Sequence, residues 1–303
     1  MRFARHLMLA TLAFGVAACS DEDLGPTQAV IPPLAYVRYI NAVPDTFPHT
    51  VRWVDDIEFT PQSFINVGFR TEGQGSWQGL RAGNRQFKVF TYQQVVNNFP
   101  AAGNTTVLKD TTFNFVAGQY YTILYSGFSR TGSTPAARLN IIQDEPPASP
   151  ASGTLIRVYN VAYTGSWDVY LGGTATLVGD TSTTSTLYTA APGTLLASTT
   201  APANTGAVAQ NYTARALGTY QVRFTTAGTL NRPGTAGTPT PVRVALPAGL
   251  AETSDFEAAG GTNINGSVMT LWVFGAQTGG TGAASRPLVL PTIDRNPART
   301  IAP

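Results

Sequence analysis

An internal repeat constrains the fold of this 303-residue chain more than any other feature of its sequence. Three short segments occur twice, in the same order along the chain. The paired segments are residues 36–41 with 155–160, residues 83–89 with 218–224, and residues 118–124 with 266–272. The repeat predicts two homologous domains, each longer than about 100 residues and therefore large enough for a core of its own.

The residues within the repeats alternate between apolar and polar. Phe87 and Val89 flank Lys88, and Phe113 and Phe115 flank Asn114. A period of two places the apolar side chains on one face of a β-sheet. After residue 18 no segment sustains a helical period over three turns, and Gly, Pro, Asn and Thr separate the apolar runs. We expect an all-β fold of two tandem antiparallel β-sandwiches, immunoglobulin-like or transthyretin-like in kind.

Proline marks the expected boundary between the two halves. Residues 145–153 contain three prolines, which lack the N–H that a strand ladder needs and favour an extended linker. The expected segments are a signal peptide at 1–18, a flexible tether at 19–33, a first sandwich at 34–146, a linker at 147–153, a second sandwich at 154–298 with an inserted loop at 250–265, and a tail at 299–303.

The N-terminus has the order of a secretory signal, with basic residues followed by the apolar run 7–18. This run is shorter than the roughly 20 residues that span a bilayer. Residues 16–19, Val-Ala-Ala-Cys, resemble the lipobox of bacterial lipoproteins, in which the cysteine becomes acylated. The resemblance implies that Cys19, the only cysteine, is a lipid attachment site and that the partner of the N-terminus is a membrane. An incidental cysteine in an ordinary secretory signal is the alternative.

The expected location is the cell envelope. Ser20 follows the cysteine where an aspartate would retain many lipoproteins in the inner membrane, so the resemblance favours the outer membrane, on its periplasmic or its exposed side. Without residues 1–18 the chain carries 17 Lys and Arg against 17 Asp and Glu. Because nucleic-acid binding depends on an excess of cations, we expect no nucleic-acid partner.

Four segments are recognisable in the chain: the opening strand 37–45, the stretch 168–173, the hairpin 218–223 and the turn and strand 117–122. Together they resemble the bacterial domain of unknown function 4397 family. The resemblance spans nearly all of residues 34–298 as two copies. It implies a secreted or surface β-sandwich, and its motifs are strand and turn residues without a chemical signature.

The sequence offers no recognisable catalytic residue and no metal site. After the signal the only histidine is His49, and no nucleophile elbow or phosphate loop accompanies it. We expect His49 to be an exposed loop residue. The expectation is that the protein is not an enzyme and needs no cofactor.

Clustered acids and one tryptophan are the candidate ligand-binding residues. The acids are Asp55, Asp56, Glu58, Glu252, Asp255 and Glu257. Oxygen ligands of this kind could hold calcium or perform glycoside hydrolysis, but their spacing does not match a calcium loop and solvated surface acids are the simpler interpretation. Trp77 lies in a polar loop where an exposed ring could contact a ligand, whereas Trp53, Trp167 and Trp272 lie in apolar runs that predict core packing.

The expected function is therefore a lipid-anchored binding, adhesion or scaffolding module with an unknown envelope partner. The alternative is a carbohydrate-binding or carbohydrate-active surface protein that depends on calcium, with a polysaccharide as its partner.

Overall fold

The computed structural model describes residues 32–55, 64–73, 77–91, 106–163, 165–173, 188, 191–199, 211–231, 243–275, 286–298 and 300. Within these ranges the chain forms strands and turns, which confirms the all-β class. No helix in the described part of the chain has the length and apolar character needed to cross a membrane.

Nine strands lie among the described residues of the first half. They are β1 (Leu34–Ala42), β2 (His49–Trp53), β3 (Phe64–Val67), β4 (Thr71–Glu72), β5 (Gln78–Arg81), β6 (Gly83–Thr91), β7 (Val107–Phe115), β8 (Tyr120–Ser126) and β9 (Arg138–Gln143). Inner sheet 1 has the order β4-β1-β8-β9, with β5 also pairing with β1, and outer sheet 1 has the order β3-β2-β6-β7. The two sheets enclose a core that includes Tyr39, Phe64, Phe87 and Phe115.

In the second half, eight strands are found in the part of the chain that the structure describes, and their arrangement is similar. They are β10 (Thr154–Asn160), β11 (Trp167–Gly172), β12 (Thr194–Thr199), β13 (Thr213–Arg215), β14 (Gln221–Thr226), β15 (Arg243–Ala245), β16 (Ser267–Phe274) and β17 (Leu288–Arg295). Inner sheet 2 has the order β13-β10-β16-β17 and outer sheet 2 has the order β12-β11-β14-β15. Eight strands of each half correspond one to one, and β4 is the strand of the first half without a counterpart among the described residues. The repeat in the sequence is therefore a repeat in the topology.

The inner sheets are mixed rather than purely antiparallel. β1 pairs in parallel with β8, with Tyr36 opposite Tyr120, and β10 pairs in parallel with β16, with Thr154 opposite Ser267. A hairpin cannot join parallel neighbours. In each half the connection instead runs through the strands of the outer sheet, and this long crossover is why local sequence patterns predicted only antiparallel pairs.

The two inner sheets pack against each other. On β1, Val37 and Tyr39 enter the first core, while Ile40 and Ala42 join a separate cluster that also contains Trp272 and Phe274 of β16. Both faces of the central inner strands are consequently buried, and all eight residues of β16 are buried. The sandwiches form four stacked layers within one compact unit, Pro33–Pro303.

The segment between the halves is folded onto this unit. The side chain of Asp144, directly after β9, is buried, and Arg295 Nη2 donates to the carbonyl oxygen of Pro146 at 3.0 Å. The expected proline-containing linker is thus held at its start by the second sandwich.

Candidate functional site: a buried charge network between the sandwiches

The largest concentration of buried charge lies between the inner sheets. Arg38 of β1 and Arg157 of β10 occupy equivalent strand positions, and alternation directs both away from their own cores. Because that face meets the other sandwich rather than water, Arg38 is 1 % exposed and Arg157 is 5 % exposed. Buried arginines require partners, since an unpaired buried charge is strongly unfavourable.

Arg38 finds its partners on both halves of the chain. Its Nε donates to Thr122 Oγ1 at 2.8 Å and its Nη2 to Asp144 Oδ2 at 2.7 Å, both within the first half. Its Nη1 donates to Asp294 Oδ1 of the second half at 2.6 Å. Thr122 Oγ1 donates in turn to Asp144 Oδ2 at 2.7 Å, which fixes that carboxylate.

Arg157 repeats much of this pattern from the other side. Its Nε donates to Thr270 Oγ1 at 2.7 Å, and Thr270 Oγ1 donates to Asp294 Oδ2 at 2.5 Å. Its Nη2 lies 2.5 Å from Asp144 Oδ1. Each arginine therefore makes an ion pair with the aspartate of the opposite half, and the arrangement approaches two-fold symmetry.

Aromatic rings cover both guanidinium groups. The Arg38 Cζ atom lies 4.1 Å from the centre of the Trp77 ring and 4.9 Å from that of Trp272. The Arg157 Cζ atom lies 4.5 Å from the centre of the Tyr212 ring. Such cation–π contacts become stronger when water is excluded.

Trp77 and Tyr212 also bind the same aspartate. Trp77 Nε1 donates to the carbonyl oxygen of Asp294 at 3.1 Å, and the Tyr212 hydroxyl donates to Asp294 Oδ2 at 2.8 Å. The two rings directly precede β5 and β13, which are equivalent edge strands. The two halves therefore use different side chains to cover a guanidinium group and to hydrogen-bond to Asp294.

The electrostatics of the network favour the charged forms of Arg38 and Asp144. Burial opposes the charged form of Arg38, but Asp294, Asp144 and Glu72 more than offset this effect and raise its pKa. Burial likewise opposes ionisation of Asp144, but Arg38 and Arg157 together lower its pKa. Groups held permanently ionised are poor proton-transfer catalysts near neutral pH. The arrangement is suited to fixing the register of the two sandwiches.

A cleft of about 560 Å³ opens beside the network, and Glu72 of β4 lines it. The Glu72 carboxylate lies 4.0 Å from Arg38 Nη1. Burial raises the pKa of Glu72 to about 7, opposed by Arg38 and reinforced by Asp294. The charge of Glu72 is thus expected to change near neutral pH.

A second cleft, of about 550 Å³, lies at one end of the first sandwich, where Phe47 is 57 % exposed. The carboxylate of Asp45 lines this cleft and accepts hydrogen bonds from the backbone N–H groups of Ser129 and Arg130, at 2.8 and 3.1 Å. That carboxylate is already used in holding the loop.

The candidate acids contact different parts of the chain. Asp55 is exposed and lies 3.5 Å from Arg85 Nη1. The Glu252 carboxylate accepts hydrogen bonds from Thr300, and Asp255 accepts one from Ser254 at 3.3 Å. Glu257 is exposed, whereas Asp56 and Glu58 lie outside the described residues, as does Cys19. Among the residues that the structure describes, no group of three or more His, Cys, Asp or Glu could hold a metal ion.

The tryptophans divide between cores and interface. Trp53 belongs to the first core and Trp167 packs against the second. Trp272 is fully buried in the cluster between the sandwiches, which the apolar pattern alone did not distinguish from a core position. Trp77 is half-buried over Arg38, and its role as a ligand contact remains a prediction.

The expectation for His49 was wrong. The residue is fully buried at the start of β2, with Nδ1 2.7 Å from the Tyr39 hydroxyl and Nε2 2.7 Å from Thr46 Oγ1. Burial lowers the pKa of His49 to about 4. The turn residues before it suggested exposure, but hydrogen bonds at both nitrogens allow a neutral imidazole to sit in the core.

Sequence reasoning missed the aspartates that complete the network. Asp144 follows a strand and precedes prolines, which resembles a solvated loop, and Asp294 lies in a polar strand end. The available signal was the shared position of Arg38 and Arg157, which implies a common structural role in both halves. Their partners are distant in the chain and follow no spacing rule.

Comparison with known proteins supports the family resemblance in part. No curated protein matches the chain. The region matched by the family model begins at the second residue of β1, continues through the first sandwich and β10, and ends within β11. Residues 35–170 thus match the family model described as Domain of unknown function (DUF4397).

Proposed function

We propose that this chain is a lipid-anchored protein of the bacterial cell envelope whose fused double sandwich is a non-enzymatic binding or scaffolding body. The second half would be a further copy of the domain matched at residues 35–170. The outer membrane is the proposed site of attachment, and an envelope protein or a polysaccharide is the proposed partner.

The observation that carries the anchor is Cys19 itself. It follows a basic start and a short apolar run, with alanine at the two preceding positions. Two or more acyl chains hold a protein on a membrane far more firmly than one chain does. The fold supports a binding role, because packing between the inner sheets holds the loops of both sandwiches on one body.

Metabolic labelling with an alkyne fatty acid tests the anchor. The wild-type chain should become labelled and remain with the membrane fraction, whereas Cys19→Ser should be unlabelled and released. Cys19→Ser is a conservative control because serine keeps the size of the side chain and lacks the sulfur that is acylated. An unlabelled wild-type chain recovered in the soluble fraction would remove the basis for envelope attachment.

A binding role would be tested by crosslinking intact cells and purifying the chain with its partners. Recovery of one envelope component from wild-type cells, and its loss when the chain stays soluble as Cys19→Ser, supports an anchored scaffold. Recovery of no component above the background of an unrelated lipoprotein contradicts it.

One observation favours a polysaccharide as the partner. Tyr36 and Tyr120 stack with their ring centres 4.8 Å apart, and Trp77 meets Tyr120 edge-on at 5.1 Å. All three rings are half-buried and form a row beside the network. Sugar rings pack on exposed aromatic surfaces, so this row is a candidate platform.

Glycan-array binding tests this second candidate. Tyr36→Ser is preferable to Trp77→Ala, because removing Trp77 would also uncover Arg38. Phe47→Ser, which changes an exposed ring elsewhere, is the matched control. Binding that Tyr36→Ser abolishes and Phe47→Ser retains supports the platform. Absence of binding both with and without calcium counts against it.

A further inference from the structure

The cleft beside the charge network is built from both halves of the chain. Glu72 comes from the first sandwich, whereas Pro247, Ala259, Leu290, Ile293 and Asn296 come from the second. Its volume of about 560 Å³ lies in the range of small-molecule sites in proteins. Apolar side chains dominate its walls, and Glu72 is the charged residue among those that line it.

Glu72 is a buried carboxylate without a hydrogen-bond partner among the described residues. Its side chain is 10 % exposed, and its distance of 4.0 Å from Arg38 Nη1 exceeds hydrogen-bond range. Both terminal nitrogens of Arg38 already donate hydrogen bonds to other residues. Nη1 donates to Asp294 and Thr292, and Nη2 donates to Asp144. Glu72 is therefore left with an acceptor surface that faces the cleft.

The charges of the region do not balance within the chain. Two arginines, Arg38 and Arg157, face three acids, Asp144, Asp294 and Glu72. The charges of the two arginines are balanced by those of Asp144 and Asp294. An ionised Glu72 therefore adds one negative charge next to an apolar cleft. A buried charge requires an opposite charge or a proton.

The walls of the cleft select among possible cations. A calcium ion needs six to eight oxygen ligands, and one carboxylate with neutral neighbours is a poor match for that demand. An ammonium group needs fewer partners, and an alkyl stem attached to it would pack against Pro247, Leu290 and Ile293. The side-chain oxygen of Asn296 accepts a hydrogen bond from Gly260 and lies on the same wall.

We propose that this cleft binds a primary ammonium group carried on an apolar stem, with Glu72 as the counter-ion. A free alkylamine and a lysine side chain share this chemistry. The inference gives a ligand class to the proposed binding role and does not depend on acylation of Cys19. Absence of amine binding would not bear on acylation of Cys19. Absence of acylation would not bear on amine binding in the cleft.

Isothermal titration of the purified full chain tests the proposal with three probes. The probes are n-pentylamine, 1-pentanol as its uncharged counterpart, and Nα-acetyl-lysine N-methylamide. Both amines should bind and the alcohol should not. A preference for the lysine derivative would identify a protein or peptide as the source of the group, and a preference for pentylamine would identify a small amine. Equal binding of the alcohol would overturn the proposal.

Two variants and a control locate the site. Glu72→Gln keeps the shape of the side chain and should weaken amine binding at least about thirty-fold, as expected when a buried charge loses its partner. Asp110→Asn removes an exposed carboxylate on β7 and should bind like the wild type. Ala259→Trp leaves Glu72 in place and should block the cleft by volume. Wild-type affinity in both Glu72→Gln and Ala259→Trp would refute the site.

The pH dependence adds a readout that a purely structural role of Glu72 would not produce. Arg38 of β1 and Asp294 of β17 are the charged groups that face Glu72, and Arg38 keeps its charge because neighbouring carboxylates raise its pKa above the ordinary value. The pKa of Glu72 is about 7. Amine affinity should therefore rise about ten-fold from pH 6 to pH 8 as the carboxyl group ionises. Affinity that is constant over this range would contradict Glu72 as the counter-ion.

Discussion

Replacing Arg38 with methionine should lower the free energy of unfolding by about 3–5 kcal/mol. The magnitude follows from what remains after the guanidinium is removed. Asp144 keeps its ion pair with Arg157, but Asp294 has no other cation within 4 Å among the described residues and is 4 % exposed. One buried carboxylate would be left without its counter-charge, and the uncharged methionine would still fill much of the space between Trp77 and Trp272.

Urea denaturation of the purified chain, followed by tryptophan fluorescence, measures this loss. Arg130→Met is the matched control, because the Arg130 side chain is 72 % exposed and lies 4.0 Å from Asp45. A surface pair of this kind should contribute less than about 1 kcal/mol. Asp294→Asn removes the carboxylate charge that Arg38→Met leaves without a partner. The double variant should therefore be more stable than Arg38→Met alone.

Two results would refute the reasoning. A loss for Arg38→Met that is no larger than that of Arg130→Met would mean that the network does not hold the sandwiches together. Full additivity of Arg38→Met and Asp294→Asn would mean that the two side chains are not coupled, since contacting charges normally show an interaction energy of about 0.5–3 kcal/mol.

Two further predictions concern acid and backbone geometry. The pKa of His49 is about 4 in the folded chain and 6.5 for an unperturbed histidine, so its contribution to stability is complete above pH 6.5 and is lost as the pH falls through 4. Glu72 has the opposite effect on the pH dependence of stability, because its raised pKa favours the folded state at low pH. Comparing the wild type with His49→Gln isolates the contribution of the histidine. In urea titrations the variant should lose less stability than the wild type between pH 7 and pH 4. Gly153→Ala should cost about 3 kcal/mol or more, because φ is +70° and an added Cβ would lie 2.2 Å from the carbonyl oxygen of Arg215. Gly118→Ala, at φ +76° with no atom within 4 Å, should cost only about 1 kcal/mol, and equal melting temperatures for the two variants would contradict this argument.

Local pattern was sufficient to predict the strands and the repeat. Alternation around Lys88 and Asn114 places these residues on β6 and β7, where they lie on paired strands of one sheet. The three repeated segments correspond to β1 and β10, to β6 and β14, and to β8 and β16. These features depend on period and order, which neighbouring residues determine.

Packing of one sandwich on the other was not predicted, although β16 carried a signal for it. Residues 267–274, Ser-Val-Met-Thr-Leu-Trp-Val-Phe, contain almost no polar alternation, and such strands are typical of sheets covered on both faces. Because the other sandwich covers this face of β1, Arg38 lies at the centre of a buried charge network and not in contact with water. Which surface covers a strand depends on contacts between distant residues such as Arg38 and Asp294, and alternation along one strand contains no information about them.

The near-symmetric face between the inner sheets resembles the contact of a homodimer, but both partners belong to one polypeptide. Covalent connection makes their association unimolecular, at an effective concentration on the order of millimolar, so dilution does not separate them. A true two-fold dimer must repeat each side chain on both sides of its axis. A fused chain is free of that requirement, and here Trp77 covers the arginine of one half whereas Tyr212 covers the arginine of the other.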